Sequence, residues 1–236
     1  METVAPLAPL EDACTVVILR DGGSGLETLM LERPTNSRSF GGAWVFPGGK
    51  VDPADRVDGF GRVLDELAAA RVAGLRELEE ETGQQLTPEE LIWVSQWTPM
   101  QAIPRRFRTW FMVAQAAPGK IVLNPDEHDR YAWLTPAQAL DQHARGEMTL
   151  VAPTWVTLHN LDGVASVADA LAGARVGAAT RYNSHLLVSE TGIRPDGVLW
   201  AGDEAYPAAD GLAAAPGARH RLITKTLPWV FEHTSL

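Results

Sequence analysis

Cysteine is almost absent from this sequence, which has Cys14 as its single copy in 236 residues. An internal disulfide is therefore excluded, and so is a zinc site built from several cysteines. Apolar runs of about eighteen residues, which a membrane-spanning helix requires, are also missing. The stretch METVAPLAPLEDAC at the start carries acids where a secretory signal carries basic residues. We therefore expect a protein of the reducing cytoplasm that has no membrane partner.

Basic side chains are in short supply. Lysine and arginine number 20 against 30 aspartates and glutamates, so the formal net charge is −10. This charge repels a nucleic-acid backbone, and we expect no nucleic-acid partner. A small phosphate compound remains compatible if a metal ion screens the charge. The apolar content of 45% and the eight tryptophans suffice for the core of one large domain or two small ones.

The first half of the chain is rich in strand patterns. Two apolar runs, Cys14–Arg20 and Leu26–Arg33, flank the glycine-rich turn DGGSG, which predicts a β-hairpin. A further extended segment is predicted within Gly41–Lys50, where Pro47, Gly48 and Gly49 indicate a closing turn. The runs Leu91–Trp97 and 108–116 predict two more strands.

Helical periodicity follows the glycine turn at Gly48 and Gly49. From Gly61 to Leu78 the apolar residues repeat at helical spacing, and Gly83 is a natural C-cap. A second helix is predicted over Thr135–Glu147, where Thr135 is the N-cap and proline follows it. Beyond residue 160 the pattern is weaker. It predicts a helix over 164–175, strands within 184–190 and 220–233, and a loop over 203–218.

The stretch RELEEETG, Arg76–Gly83, concentrates negative charge. On a helix Glu77, Glu80 and Glu81 occupy positions i, i+3 and i+4, so their carboxylates share one face and repel each other. A hard divalent cation such as Mg²⁺ is commonly held by oxygen ligands of this type, which predicts a metal site. The alternative is a solvated acidic face of an ordinary surface helix. We further expect the metal-site acids to be exposed, so that their replacement leaves the fold intact.

The order of these residues resembles the signature of the Nudix hydrolase family. That signature runs glycine, five residues, glutamate, seven residues, then Arg-Glu-apolar-any-Glu-Glu-any-Gly-apolar. Here Gly49 matches the first half and Arg76–Gly83 the second. The chain departs from it in three ways: Asp55 stands in place of the first glutamate, Gln84 replaces an apolar residue, and twenty residues instead of seven separate Asp55 from Arg76.

The resemblance implies a fold class, an α/β/α sandwich with a mixed β-sheet. It implies a Nudix domain over residues 10–160 with an insertion at about 56–68, followed by a C-terminal extension, 161–236, packed on or beside it. We expect the insertion to lengthen the signature helix at its N-terminal end. Many members of the family are dimers, so a homodimer is an open expectation.

The resemblance also implies a site. Glu77, Glu80 and Glu81 would hold Mg²⁺, with Mn²⁺ as an alternative, and the metal would bind pyrophosphate oxygens and activate a water. Arg76 would orient the glycine turn by pairing with a carboxylate or backbone group, although it is also compatible with a surface arginine. Gly48 and Gly49 would let the turn approach the helix and the metal closely, or would form a simple turn.

Other candidate residues lie later in the chain. The general base is left open among Glu80, Glu81 and Glu127; Glu127 is equally compatible with a solvated loop acid. In PRRFRTWF three arginines adjoin aromatic residues, an arrangement that suits phosphate binding with base stacking, or an exposed edge strand. These arginines are Arg105, Arg106 and Arg108. The six histidines show no metal-ligand spacing and receive no role.

The implied substrate is a nucleoside diphosphate linked to another group. The interrupted signature resembles the coenzyme A diphosphatase branch, which favours coenzyme A or an acyl-coenzyme A. ADP-ribose, NADH, nucleotide sugars and dinucleoside polyphosphates remain alternatives. A different class, a non-catalytic Nudix ligand sensor, is disfavoured because all three helix acids are present and no basic recognition helix follows them.

Overall fold

The computed structural model describes residues 9–37, 40–100, 105–188, 195–207 and 216–234. Their helices are α1 (Glu66–Thr82), α2 (Pro136–Ala144), α3 (Ala152–Leu161) and α4 (Val167–Val176). Their strands are β1 (Leu10–Gly22), β2 (Gly25–Glu32), β3 (Trp44–Val45), β4 (Gly48–Lys50), β5 (Ile92–Thr98), β6 (Arg106–Gln115), β7 (Arg130–Leu134), β8 (Thr180–Asn183), β9 (His185–Val188), β10 (Pro195–Leu199), β11 (His220–Ile223) and β12 (Val230–His233). Short 3₁₀ turns cover Pro53–Arg56 and Pro88–Glu90.

A mixed sheet is the centre of the fold. Its strand order is β3-β2-β1-β6-β5-β8, with β4 also paired to β1 and β7 to β2. The pairs β1–β6 and β5–β8 are parallel, and the other pairs in this sheet are antiparallel. Because β1 pairs with β4 on one part of its length, Cys14 lies opposite Gly49, and the predicted glycine turn is fixed to the sheet.

The sheet buries apolar side chains on both faces. Along β1, Cys14, Val16 and Ile18 belong to a core beneath α1, whereas Val17 and Leu19 belong to a second core on the opposite face. Successive residues of a strand point to opposite faces, so this continuous apolar run requires cover on both sides. Helices on the two faces supply it: α1 covers the first core, and α2, α3 and α4 contribute to the second.

The C-terminal residues take part in the second core. The strand β8 extends the central sheet beside β5, and the ring of Tyr182 stacks on Trp97 with centroids 3.8 Å apart. A separate antiparallel sheet, in the order β12-β11-β10-β9, adds Leu222, while Trp200 follows β10 and is fully buried. Described residues from both sides of position 160 therefore share one hydrophobic core.

Most sequence-predicted elements are confirmed. The hairpin is β1–β2, the later strands are β5 and β6, and the two predicted helices after the signature are α2 and α4. The strand pattern over 220–233 corresponds to two strands, β11 and β12. The helix α3 was not predicted. The predicted strand 184–190 and loop 203–218 lie partly outside the described residues. No helix in the described ranges is both long and apolar enough to cross a membrane.

The expectation that the insertion lengthens the signature helix is correct only from Glu66 onward. The preceding residues form a turn, closed by a bridge between Val57 and Val63. Asp58 organises this turn, since its carboxylate accepts hydrogen bonds from the backbone N–H groups of Phe60 and Arg62 at 2.9 Å. Asp65 then caps α1 by accepting from the N–H of residue 68 at 2.7 Å. Before residue 66, side-chain hydrogen bonds to the local backbone therefore replace the hydrogen bonds that a helix would form.

Close packing of α1 on β1 depends on Gly74. A methyl group added to Gly74 would lie 2.6 Å from the sulfur of Cys14 and 3.1 Å from Val16. The thiol is fully buried, and burial raises its pKa to about 12. Gly74 lowers the helix propensity of α1, but the lack of a side chain allows the helix to pack closely on β1.

Gly74→Ala and Gly173→Ala are expected to shift the melting temperature in opposite directions. Overpacking at Gly74 should outweigh the gain in helix propensity and lower the free energy of unfolding by about 1 kcal/mol. Gly173 lies in α4 with nothing within 4 Å of an added methyl group. There alanine should stabilise the protein by about 0.5–1 kcal/mol. Thermal denaturation of both variants checks this, and a stabilised Gly74→Ala protein would contradict the close contact.

Candidate active site

The C-terminal half of α1 carries the acidic residues. Glu77, Glu80 and Glu81 lie on one face of the helix, which we call the acidic face, and Leu78 is buried beneath the helix. The helix ends at Gly83, whose φ of 69° is left-handed and whose N–H donates to Glu79 O. Burial differs among the acids: the side chain of Glu80 is 52% exposed, and that of Glu81 only 6%. The expectation that the acids are exposed is therefore wrong for Glu81.

The glycine turn lies directly against the acidic face. The N–H of Gly48 donates to Glu81 Oε2 at 2.8 Å. A methyl group on Gly48, where φ is 150°, would lie 2.2 Å from the carbonyl oxygen of Cys14. One on Gly49 would lie 2.2 Å from a carboxylate oxygen of Glu77. Glycine is needed at Gly48, because a methyl group there would meet main-chain atoms of β1, whereas at Gly49 it would meet only the end of the Glu77 side chain, which can move.

Arg76 connects the acidic face to the segment before the insertion. Its guanidinium donates to both carboxylate oxygens of Asp55, at 3.2 and 3.0 Å, and to the carbonyl oxygen of Lys50 at 3.1 Å. Asp55 is 3% exposed and also accepts from the N–H of Asp52 at 2.8 Å. Arg76 therefore pairs with both a carboxylate and a backbone carbonyl, and Asp55 is its main partner.

Negative charge exceeds positive charge around this arginine. Arg76 also donates to Glu77 and Glu80, each at 3.0 Å. One guanidinium is therefore shared by three carboxylates, and the carboxylate of Glu81 adds to the excess. Burial raises the pKa of Glu77 above its ordinary value; Arg76 opposes this shift, and Glu81 and Glu80 add to it. A cluster of oxygen ligands with uncompensated charge fits a hard divalent cation.

The loop before β7 supplies two further side chains. Ligand atoms of Glu81, Glu127 and His128 lie within 4.8 Å of one another. His128 is 2% exposed, and its Nε2 lies 2.8 Å from Glu81 Oε1. The sequence assigned no role to His128, because it follows no ligand spacing and approaches Glu81 only through the fold. Its position next to Glu127 was the single available signal.

The three arginines of PRRFRTWF occupy different environments. Arg105 is exposed just before β6, and Arg106 is half-buried at the first position of β6. Arg108 forms ion pairs with Asp12 at 2.7 Å and with Glu66 at 2.6 Å. Glu66 begins α1 and lies fifteen positions before Glu81, a rise of about 22 Å along the helix. The structure therefore does not bring Arg108 together with the acidic face.

A cavity of about 260 Å³ lies on the other face of the central sheet. Its floor includes Val17 and Val113, and its walls come from α3, α4 and Tyr182. It contains none of the residues predicted for the site. The acidic face, the glycine turn and the loop with Glu127 are therefore separated from it by the sheet.

Comparisons with known proteins agree with this arrangement. A model of the NUDIX domain family matches residues 9–153, which is more than half of the chain. The m7GpppN-mRNA hydrolase NUDT17 of Danio rerio is 37% identical over 103 residues, covering 40% of this chain. The matched part is only 29% of the length of that relative.

Solved structures give a likeness in fold. A crystal structure of a NUDIX hydrolase from Alicyclobacillus acidocaldarius superposes with a TM-score of 0.61. The superposition covers 71% of this chain and 97% of that one, at 23% sequence identity. Together with the mixed sheet and the helices on its two faces, this likeness confirms the α/β/α fold predicted from the sequence.

Proposed function

Because this chain belongs to the NUDIX domain family, we propose that it hydrolyses the pyrophosphate bond of a nucleoside diphosphate linked to another group. The observation that carries the proposal is the acidic face held against the glycine turn. Gly48 N–H lies 2.8 Å from Glu81, and the carboxylate of Glu77 covers Gly49. A pyrophosphate needs a cationic partner, and this arrangement of oxygens offers a place for one.

Glu77, Glu80 and Glu81 are the proposed ligands of a divalent cation, Mg²⁺ or Mn²⁺. A bound divalent cation offsets charge on pyrophosphate oxygens and makes water more acidic. The residues fit such an ion because carboxylates outnumber the one nearby guanidinium, Arg76. Arg76 holds the acidic face against the glycine turn by donating hydrogen bonds to the carbonyl oxygen of Lys50 and to the carboxylate of Asp55.

We place the general base at Glu80 or Glu127. Both are exposed, whereas both oxygens of Glu81 already have partners in Gly48 and His128. A base must reach a water beside the substrate, and the exposed positions of Glu80 and Glu127 allow this. Arg105 and Arg106 remain candidate phosphate contacts at the start of β6. Arg108 forms ion pairs with Asp12 and Glu66.

Coenzyme A or an acyl-coenzyme A is the proposed substrate class, on the resemblance of the interrupted signature. ADP-ribose, NADH, nucleotide sugars and dinucleoside polyphosphates are alternatives. The relative named as an m7GpppN-mRNA hydrolase adds a cap structure to the candidates. With a net charge of −10, a small cap compound is a better candidate than a long RNA.

A substrate panel tests the proposal. The protein is incubated with Mg²⁺ and each of coenzyme A, acetyl-coenzyme A, ADP-ribose, NADH, a nucleotide sugar, a dinucleoside polyphosphate and a cap dinucleotide. Products are separated by chromatography, with a chelator and Glu80→Gln as controls. Cleavage at the pyrophosphate of one compound, absent in both controls, is the expected result. A compound that raises the melting temperature and is never cleaved would favour a ligand sensor instead.

A further inference from the structure

His128 is buried next to the acidic face and contacts one of its carboxylates. The side chain is 1% exposed, and Nε2 lies 2.8 Å from Glu81 Oε1. An ionised carboxylate only accepts hydrogen bonds, so Nε2 carries the hydrogen. We infer that His128 is a positioning residue that fixes the orientation of the Glu81 carboxylate, an inference that rests on the proposed function of the acidic face.

Two donors from different parts of the chain hold this carboxylate. Gly48 N–H binds Oε2 and His128 binds Oε1, both at 2.8 Å. With one donor on each oxygen, rotation of the carboxylate about its terminal bond would break both hydrogen bonds. Each oxygen keeps a second lone-pair site, so Glu81 can still contact a cation or a substrate-bound water. The orientation of Glu81 is thus set before any ligand binds.

The backbone holds His128 in place independently of this contact. The N–H of Asn124 donates to Glu81 O at 3.1 Å, and the N–H of Val122 donates to Thr82 O at 2.9 Å. The N–H of His128 then donates to Asn124 O at 3.1 Å. The loop is therefore attached to the end of α1 by main-chain hydrogen bonds. Replacing the imidazole should leave the loop attached and remove only the side-chain donor.

The other ring nitrogen supports a role directed at Glu81. His128 Nδ1 is buried without a hydrogen-bond partner among the residues that the structure describes. Burying a polar ring is costly unless its polar atoms are paired, and an apolar side chain could fill the same space. The only side-chain hydrogen bond that offsets this cost in the described residues is the one to Glu81. The contact therefore accounts for a histidine at this position.

Two variants separate the hydrogen bond from the volume of the ring. His128→Leu fills the site without a donor, whereas the amide nitrogen of His128→Gln can reach the position of Nε2. Loss of a group that hydrogen-bonds to a metal-ligating side chain typically lowers metal affinity or activity 10- to 100-fold. We expect His128→Leu to lower kcat about 10-fold with KM changed less than about threefold. His128→Gln should recover most of this loss.

Metal binding gives a readout that does not depend on turnover. Mn²⁺ is titrated into the full chain without substrate and followed by electron paramagnetic resonance. We expect His128→Leu to weaken Mn²⁺ binding about 10-fold, and His128→Gln to bind nearly as the parent does. The matched control is His143→Leu, which removes another buried imidazole, one that contacts Met148 O at 3.0 Å. It should leave Mn²⁺ binding unchanged whatever its effect on melting temperature.

The outcomes distinguish this inference from the proposed function. If the parent hydrolyses a panel compound and His128→Leu matches it in kcat and Mn²⁺ affinity, the positioning role is overturned while the function stands. If His128→Gln loses as much kcat and Mn²⁺ affinity as His128→Leu does, the role of the side-chain donor is overturned. If the parent cleaves no compound, the proposed activity fails, and the Mn²⁺ titrations of the two variants still decide whether His128 positions Glu81.

Discussion

Glu80→Gln is expected to lower metal-dependent hydrolysis at least about 100-fold without unfolding the protein. A bound cation contributes several kcal/mol of transition-state stabilisation, and each 1.4 kcal/mol corresponds to about tenfold in rate. The substitution keeps the shape of the side chain and removes its charge. Because Glu80 is 52% exposed and contacts Arg76 within the same helix, the loss in stability should stay below about 1 kcal/mol.

The neighbouring glutamate provides a matched control. Glu79 is exposed, lies off the acidic face and accepts a hydrogen bond from Gln85 at 2.6 Å. Glu79→Gln removes the same charge one residue away and should retain the parental rate. Rates are measured at saturating Mg²⁺ on the best compound of the panel, with melting temperatures recorded in parallel. Parental rates in Glu80→Gln would remove this residue from the site.

Arg221→Met is expected to cause the largest loss of stability among the substitutions considered. Asp203 is completely buried, and the guanidinium of Arg221 binds both its oxygens, at 2.6 Å for Nε. Removing the cation leaves a buried carboxylate without a counter-ion, which costs about 3–5 kcal/mol. In a chain of this size the melting temperature should fall by about 10 °C.

An exposed ion pair of the same sheet region is the control for Arg221. Lys225 pairs with Asp196 at 3.1 Å, and its side chain is 63% exposed. Lys225→Met makes the same change in charge, but solvent screens the pair, so the free energy of unfolding should change by less than about 1 kcal/mol. Equal melting temperatures for the two variants would contradict the buried pair.

Acid should reduce the difference between the parent and Arg221→Met. Burial by itself would raise the pKa of Asp203, but the hydrogen bonds from Arg221 and the backbone outweigh it, so its pKa in the folded protein lies below the ordinary value. Such a carboxyl stabilises the fold above its unfolded pKa of about 3.9 and loses this contribution as the pH falls through its folded pKa. Melting temperatures compared at neutral pH and below about pH 4 check the sign.

Local sequence determined α1 and its acidic face. The spacing of Glu77, Glu80 and Glu81 and the terminal Gly83 depend only on helix geometry and capping, and the structure reproduces them. The hairpin β1–β2 follows from two apolar runs and a glycine turn in the same way. The start of α1 was misplaced because hydrophobic periodicity carries no information about Asp58 and Asp65, whose side chains compete with and then cap the helix.

Tertiary structure decided which distant residues meet the acidic face. His128 reaches Glu81 across 47 positions, and Asp55 reaches Arg76 across 21. The burial of Glu81 and the ion pair between Arg108 and Glu66 likewise depend on how α1 lies on the sheet. Periodicity describes one element at a time, whereas these contacts arise from loop paths and strand pairing. The sequence alone therefore determined the acidic helix and its glycine turn, and the packed fold decided the partners that orient them.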